Sequence, residues 1–184
     1  MKWYKRAAAQ GYADALFNLG CMQGRGEGGA PMNFSEAREW YEKAASQGYA
    51  DAQYNLGNMY YNGQGGPQDF TKAREWYEQA AAQGYAGAQN KLGAMHVRGE
   101  GGPQDFIQAR CWCEKAAAQG KAGAMILIGI MYKRGDGVAQ DLNEAMRWFL
   151  KAKAHGEDAS EKVAEVMEER RRQTTAAELA HSVP

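Results

Sequence analysis

The sequence lacks most of the features that mark a specialised class. It has no net charge, with 22 Lys and Arg against 22 Asp and Glu. That argues against a general attraction to nucleic acid, which needs surplus cations to neutralise phosphates. It also removes the case for a polybasic membrane anchor. No apolar run approaches the ~18–20 residues that cross a bilayer. The densest, MILIGIMY at 125–132, suffices only for a covered helix, so membrane insertion is not expected. The opening MKWYKRAAAQGY carries charge but no apolar centre, so it does not read as a signal peptide. With only 3 cysteines, not all can pair within the chain, and no disulfide framework is expected. The 3 histidines, His96, His155 and His181, show no ligand spacing, so neither a metal nor any other cofactor is expected.

Glycine, by contrast, is abundant, with 23 residues spread at regular intervals. Regular glycine is a reason to look for internal repeats. Shifted by about 36 residues, the sequence matches itself along most of its length. ADAQYNLGNMYYNGQGGPQDFTKAREWYEQAAAQGY at 50–85 is followed by AGAQNKLGAMHVRGEGGPQDFIQARCWCEKAAAQGK at 86–121. An earlier copy covers 13–49, with one extra residue in GGAPMNF, and a more divergent one covers 122–157. Residues 1–12 match only the second half of a copy, and Trp3, Trp40, Trp76, Trp112 and Trp148 hold one register.

Each copy reads as two helices. In the first, near 51–62, Ala52, Leu56, Gly57 and Met59 form one apolar stripe at helical spacing. Gly63 suits a left-handed helix end, and Gly65 with Pro67 suits a turn. Asp69 is placed to cap the second helix, whose stripe is Phe70, Ala73, Trp76, Tyr77 and Ala80. The outer face carries i, i+4 pairs such as Glu39 with Lys43. Gly20, Gly57, Gly93 and Gly129 fall mid-helix, where glycine costs roughly 0.5–1 kcal/mol relative to alanine. The compensating gain expected is close helix approach, with a Trp or Tyr of the second helix filling the space. One such hairpin cannot bury both of its stripes, so neighbours must stack. The fold class is therefore all-α, a right-handed α/α solenoid.

The pairing of ADAQYNLGNMYYNGQG with DFTKAREWYEQAAAQG resembles the Sel-1-like repeat, a branch of the tetratricopeptide-like helical repeats, over residues 1 to about 157. A tetratricopeptide unit is shorter, about 34 residues, and lacks the G-x-G loop. The resemblance implies a non-catalytic adaptor that binds proteins. It also implies a bacterial chain, often periplasmic or secreted and in some cases acting in host interaction, with a cytoplasmic setting as the alternative. It places the first helix of each unit on the inner, concave surface and the second outside. Cysteine-rich members tie the two helices of a unit by a disulfide, but no unit here has a cysteine in each helix.

Cys111 and Cys113 stand where other copies have Glu39 and Glu75, and Tyr41 and Tyr77. Two positions apart on a helix they point about 200° apart and cannot share a metal. Cys113 is expected to be buried and Cys111 exposed. GRGEGG, Gly24 to Gly29, fits G-x-G-x-x-G, but a helix rather than a strand precedes it, so it reads as a turn. His96 shares the register of Tyr60 and Tyr132 and reads as a packing or surface residue. None of Ser35, Ser46, Ser160 and Ser182 begins S-x-x-K, and the companion motifs of penicillin-binding enzymes are absent. An enzyme is not expected, and a divergent β-lactam-binding hydrolase is the remote alternative.

Once the core stripe of the first helix is removed, a second stripe remains at i, i+4, i+7, i+11. It reads Asp14, Asn18, Cys21 and Arg25; Asp51, Asn55, Asn58 and Asn62; Gly87, Lys91, Ala94 and Arg98; and Gly123, Leu127, Ile130 and Arg134. Arg and Asn side chains can bond a peptide backbone or carboxylates. These residues are the expected partner-binding surface, with Tyr60, Tyr61 and Tyr132 at its rim, for an unknown protein or peptide. Leu127 and Ile130 depart from the polar pattern and call for cover or a partner. DASEKVAEVMEERRRQ, 158–173, reads as a C-terminal capping helix with Ala159, Val163, Val166 and Met167 on one face, and 174–184 as a loose tail. Residues 1–12 are either a half-unit cap or the remainder of a longer stack. If the latter, Trp3 and Tyr4 stay partly uncovered and invite homo-oligomers through the chain ends, a self-assembling alternative to the scaffold reading.

Overall fold

The computed structural model describes residues 2–27 and 31–181, with side-chain surroundings through residue 176. Every regular element among the described residues is an α-helix. In order they are α1 (Lys2–Ala9), α2 (Ala13–Arg25), α3 (Phe34–Ala45), α4 (Ala50–Asn62) and α5 (Phe70–Ala82). They continue with α6 (Ala86–Arg98), α7 (Phe106–Ala118), α8 (Ala122–Arg134), α9 (Leu142–Ala154) and α10 (Ser160–His181). The chain divides into two compact units, 1–104 and 105–184, with α1–α6 in the first and α7–α10 in the second.

Local chemistry sets the helix ends. Asp69 Oδ1 accepts from the Lys72 amide at 3.0 Å, and Asn33, Asp105 and Asp141 cap α3, α7 and α9 in the same way. These acceptors satisfy amides that have no partner within the helix. At the other end of α4, Gly63 takes φ of +67°, a left-handed conformation that side chains resist. Gly65 serves a different need: a Cβ there would lie 2.5 Å from the Phe34 carbonyl oxygen, so only glycine lets this loop touch the preceding hairpin.

In the first unit the expected stripe of α4 is buried: Ala52, Leu56, Gly57 and Met59 are all inside. The mid-helix glycines are sites of close approach. A Cβ on Gly20 or Gly57 would stand 2.7 Å from the ring of Tyr41 or Tyr77. The filler is tyrosine, not tryptophan: Trp40 stays half-buried on another face, with the Lys43 ammonium 4.6 Å from its ring centre. Lys43 thus lies over an aromatic face, and the i, i+4 ion pairs on these helices are Arg38–Glu42 and Arg74–Glu78. Gln53 and Gln89 are buried polar residues. Their amides donate to the carbonyls of Ala45 and Ala81, stitching each first helix to the end of the helix before it.

Arg38 supplies a further link between hairpins. Its guanidinium sits 3.8 Å from the Tyr60 ring centre and presses on Gly66. Arg74 repeats this one hairpin later, against His96 at 3.1 Å and Gly102. Both partners are buried, so His96 is a packing residue, and Tyr60 lies under a cation rather than at a rim as the sequence suggested. In the exposed turn after α2, Gly26 takes the left-handed helix end, while Gly28 and Gly29 of GRGEGG lie outside the described residues.

In the second unit, Gly129 repeats the close approach with a phenylalanine: its Cβ would meet the Phe149 ring at 2.6 Å. One cluster joins Cys113, Ala116, Met125, Ile128 and Ala152, with Leu127 packed at its edge. Another joins Leu142, Phe149, Ala159 and Val166, with Ile130 and Val163 at its edge. The α10 segment therefore covers Ile130 and Phe149, and Asp158 starts it by accepting from the Ser160 amide at 2.9 Å. Two details differ from the sequence reading. Met167 points out and is 56% exposed, because Val166 takes the buried position beside it. The helix also runs to His181 instead of ending at 173, since TTAAELA contains no breaker; residues 182–184 of the expected tail lie outside the described residues.

Candidate functional site

After packing, the second stripe of each first helix is what remains accessible. Asn18, Cys21, Asp51, Asn55, Asn58, Lys91, Leu127 and Ile130 are half-buried, whereas Asp14, Arg25, Asn62, Arg98 and Arg134 are exposed. In the first unit residues of α2 and α4 share a cleft with α3, which packs against both. Cys21, Arg25, Asn55 and Asn58 line one open cleft of about 230 Å³, together with Phe17, Gly24, Phe34, Ala37, Tyr41, Met59 and Gln64. Arg25 Nη1 lies 3.4 Å from Glu27 Oε1 at its mouth. Asn58 Oδ1 accepts from the Tyr77 hydroxyl at 2.8 Å, which fixes that carboxamide with its Nδ2 group left to other partners. Cys21 Sγ accepts from the Tyr41 hydroxyl at 3.3 Å. Burial, the Cys21 contact and the Cys21 charge together raise the Tyr41 phenol well above its ordinary range.

One repeat further on, the equivalent place is filled. The Tyr61 hydroxyl donates to Glu100 at 3.0 Å, and Arg98 Nη2 donates to it at 3.1 Å. Arg98 Nε pairs with Glu100 Oε1 at 2.8 Å, and the Lys91 ammonium lies 5.5 Å from the Tyr61 ring centre. Phe70 meets the same ring edge-on at 5.1 Å between centroids. Arg98 is thus committed to joining α4 to the loop after α6, a role its place in the stripe did not announce. Burial, then the Glu100 contact, raises the Tyr61 phenol, while Glu100 and Tyr61 hold Arg98 more firmly charged.

In the second unit, Ile130 and Arg134 line a smaller cleft of about 210 Å³ with Lys133, Phe149, Lys162 and Glu165. Lys133 Nζ reaches Glu165 Oε2 at 2.6 Å and holds that carboxyl below its usual range. Ile130 therefore faces the α10 cover, and Leu127 packs at the edge of the cluster formed by α7, α8 and α9.

Elsewhere the chemistry is structural. Cys113 is fully buried, and desolvation pushes its thiol up to about 12, whereas Cys111 is exposed. The Ser46 hydroxyl donates to the Lys43 carbonyl at a helix end, while Ser182 lies outside the described residues. Among the described residues, no three or more His, Cys, Asp or Glu side chains are grouped to hold a metal ion, and no helix is long and apolar enough to cross a membrane. Sequence reasoning missed Gly24, Phe17, Phe34, Gln64 and Glu100 as parts of the two sites. Aligning the copies puts Gly24 opposite Tyr61, and that was the available signal.

Comparison with known proteins fits this architecture. The Sel1 repeat pattern matches residues 1–12, 13–49, 50–85, 86–121 and 122–157. A protective antigen of uropathogenic Escherichia coli strains with an SLR fold is 37% identical, with a TM-score of 0.86 over 90% of this chain. A Sel1 repeat protein from Oxalobacter formigenes is 34% identical, with a TM-score of 0.81 over 86% of this chain. The chain spans only 35% of the first of these and 63% of the second. Helicobacter pylori cysteine rich protein B, at 22% identity and a TM-score of 0.52 over 67% of this chain and 87% of its own, shares the fold alone. No curated protein sequence matches. Sel1-repeat proteins in general are non-catalytic scaffolds that mediate protein–protein interaction. The repeat pattern, the hairpins with their glycine–aromatic contacts and the α/α solenoid fold together place this chain in the Sel1 repeat family.

Proposed function

We propose that the chain is a protein-binding scaffold that holds a segment of a partner along the stripe of the first helices of unit 1–104. The observation that carries this reading is the cleft between α2 and α4, where Arg25, Asn55 and Asn58 converge beside apolar walls. Amides and guanidinium groups flanking an apolar recess suit a peptide, whose backbone and side chains need both. Asp14 and Asp51 at the starts of α2 and α4, with Arg25 near the end of α2, would orient a segment across the stripe by charge.

The test is selection of peptides from a random display library on the purified chain, with binding then measured on variants. The double variant Arg25→Ala, Asn55→Ala should lose the selected peptides while keeping its helical spectrum. Arg98 is left out because it also joins two hairpins. Undiminished binding by that variant would remove the stripe from the account.

A second reading has its own observation. On α1, Trp3 is 79% exposed and Tyr4 42%, so this face is open for self-association. Sedimentation velocity across a dilution series separates the two: a mass that falls on dilution and is fixed as monomer by Trp3→Ser would support assembly through this end.

A further inference from the structure

The cleft between α2 and α4 occupies the place that Tyr61 fills in the next repeat. Gly24 stands in the register of Tyr61, Phe34 in that of Phe70, Asn55 in that of Lys91 and Gln64 in that of Glu100. All four of these equivalents line the cleft. Where tyrosine is present, its ring lies edge-on to Phe70 and its hydroxyl reaches Glu100. Where glycine is present, Phe34 and the side of Tyr41 face open space instead. Among the described residues, an ideal Cβ on Gly24 would find nothing nearer than the Ala37 methyl at 3.7 Å, so a side chain could start from this position without a clash.

The charges change together with the ring. Lys91 and Glu100 are replaced by the amides of Asn55 and Gln64, and Arg98 by Asn62. Charged partners make sense around a hydroxyl that is always present. Neutral amides make sense around a group that comes and goes, and the one charged lining side chain, Arg25, has Glu27 beside it at the mouth. Size agrees: an apolar cavity of about 150 Å³ takes benzene, and this cleft, about 230 Å³, has room for a ring with a hydroxyl. The aromatic side chains of Phe17, Phe34 and Tyr41 in its walls favour an aromatic guest over an aliphatic one.

We infer that this cleft takes a tyrosine side chain from the bound partner, seated against Phe34 with its hydroxyl at Gln64, so that the partner completes the contact that the chain makes for itself between its next two repeats. The inference rests on the scaffold reading and specifies the partner's anchor residue.

The probe is p-cresol, the tyrosine side chain alone, titrated into the 15N-labelled chain with 3-methylbutanol as the aliphatic control. Saturable shifts at the amides of Gly24, Phe34 and Gln64 with p-cresol, much weaker with the alcohol, are expected. Gly24→Tyr fills the cleft from within and should abolish those shifts. It should also weaken display-selected peptides by at least about tenfold, a 1.4 kcal/mol change. If Gly24→Tyr fails to fold, Phe34→Ala and Gln64→Ala carry the same test with smaller losses. Selected peptides that contain tyrosine and lose it with affinity on Tyr→Ala support the inference. Peptides that depend on Arg25 and Asn55 but lack aromatic residues and ignore Gly24→Tyr overturn it and leave the scaffold reading standing. Absence of both selected peptides and p-cresol shifts overturns both.

Discussion

At the scale of single residues, the strongest constraint is the pairing of a mid-helix glycine with an aromatic ring. Gly57 lies against Tyr77, which is fully buried and cannot swing away from an added methyl 2.7 Å from its ring. Overpacking of this kind costs about 1–3 kcal/mol, more than the roughly 0.5–1 kcal/mol an alanine returns in helix propensity. Gly57→Ala should therefore lower the urea midpoint, with the m-value unchanged. The cysteines give a second check. Cys111 is exposed and Cys113 is fully buried with its thiol pushed up to about 12. An Ellman reaction at pH 8 on the Cys21→Ser chain should show one fast thiol, lost in Cys111→Ser, and a second only on unfolding. Both residues were legible in the sequence, because register against Tyr41 and Tyr77 showed which side faced inward. What register hid was the partner of Arg98, since a loop acid two residues later and a tyrosine from the preceding repeat meet only after the chain turns back.

At the scale of elements, helix ends and covers are decided by short polar contacts. Asp69 accepts from Lys72, so Asp69→Ala should cost about 1 kcal/mol in chemical denaturation, the ordinary price of a lost cap. The α10 cover adds an ion pair to its apolar face, Lys133 with Glu165. Lys133 holds the Glu165 carboxyl below its unfolded value. A depressed carboxyl gives stability that is present above the unfolded value, about 4.3, and lost as pH falls through the lower folded one. The wild type should therefore lose part of its stability on acidification below about pH 4. Lys133→Met should lose less over the same window; equal losses would show that the pair contributes nothing. The effect is small, because both groups reach water. The hairpins themselves were readable from spacing, capping residues and glycine. The length of α10 and the outward turn of Met167 were not, because a mostly charged helix with few apolar residues gives periodicity little to work on.

At the scale of the molecule, repetition separates what holds the fold from what varies. Positions shared by the copies, such as Leu56 and Leu92, go into the core, and positions that differ, such as Gly24 and Tyr61, shape the accessible face. The fold class followed from the repeats alone; the cleft did not, because it arises from one missing side chain between two neighbouring hairpins. The most direct measurement of the central claim is an amide-shift footprint of a display-selected peptide on the 15N-labelled chain. The expected result is shifts confined to the accessible faces of α2 and α4, strongest at Gly24, Asn55 and Asn58 and absent in the Arg25→Ala, Asn55→Ala variant. A footprint on the outward faces of α3 and α5, unchanged in that variant, would contradict it.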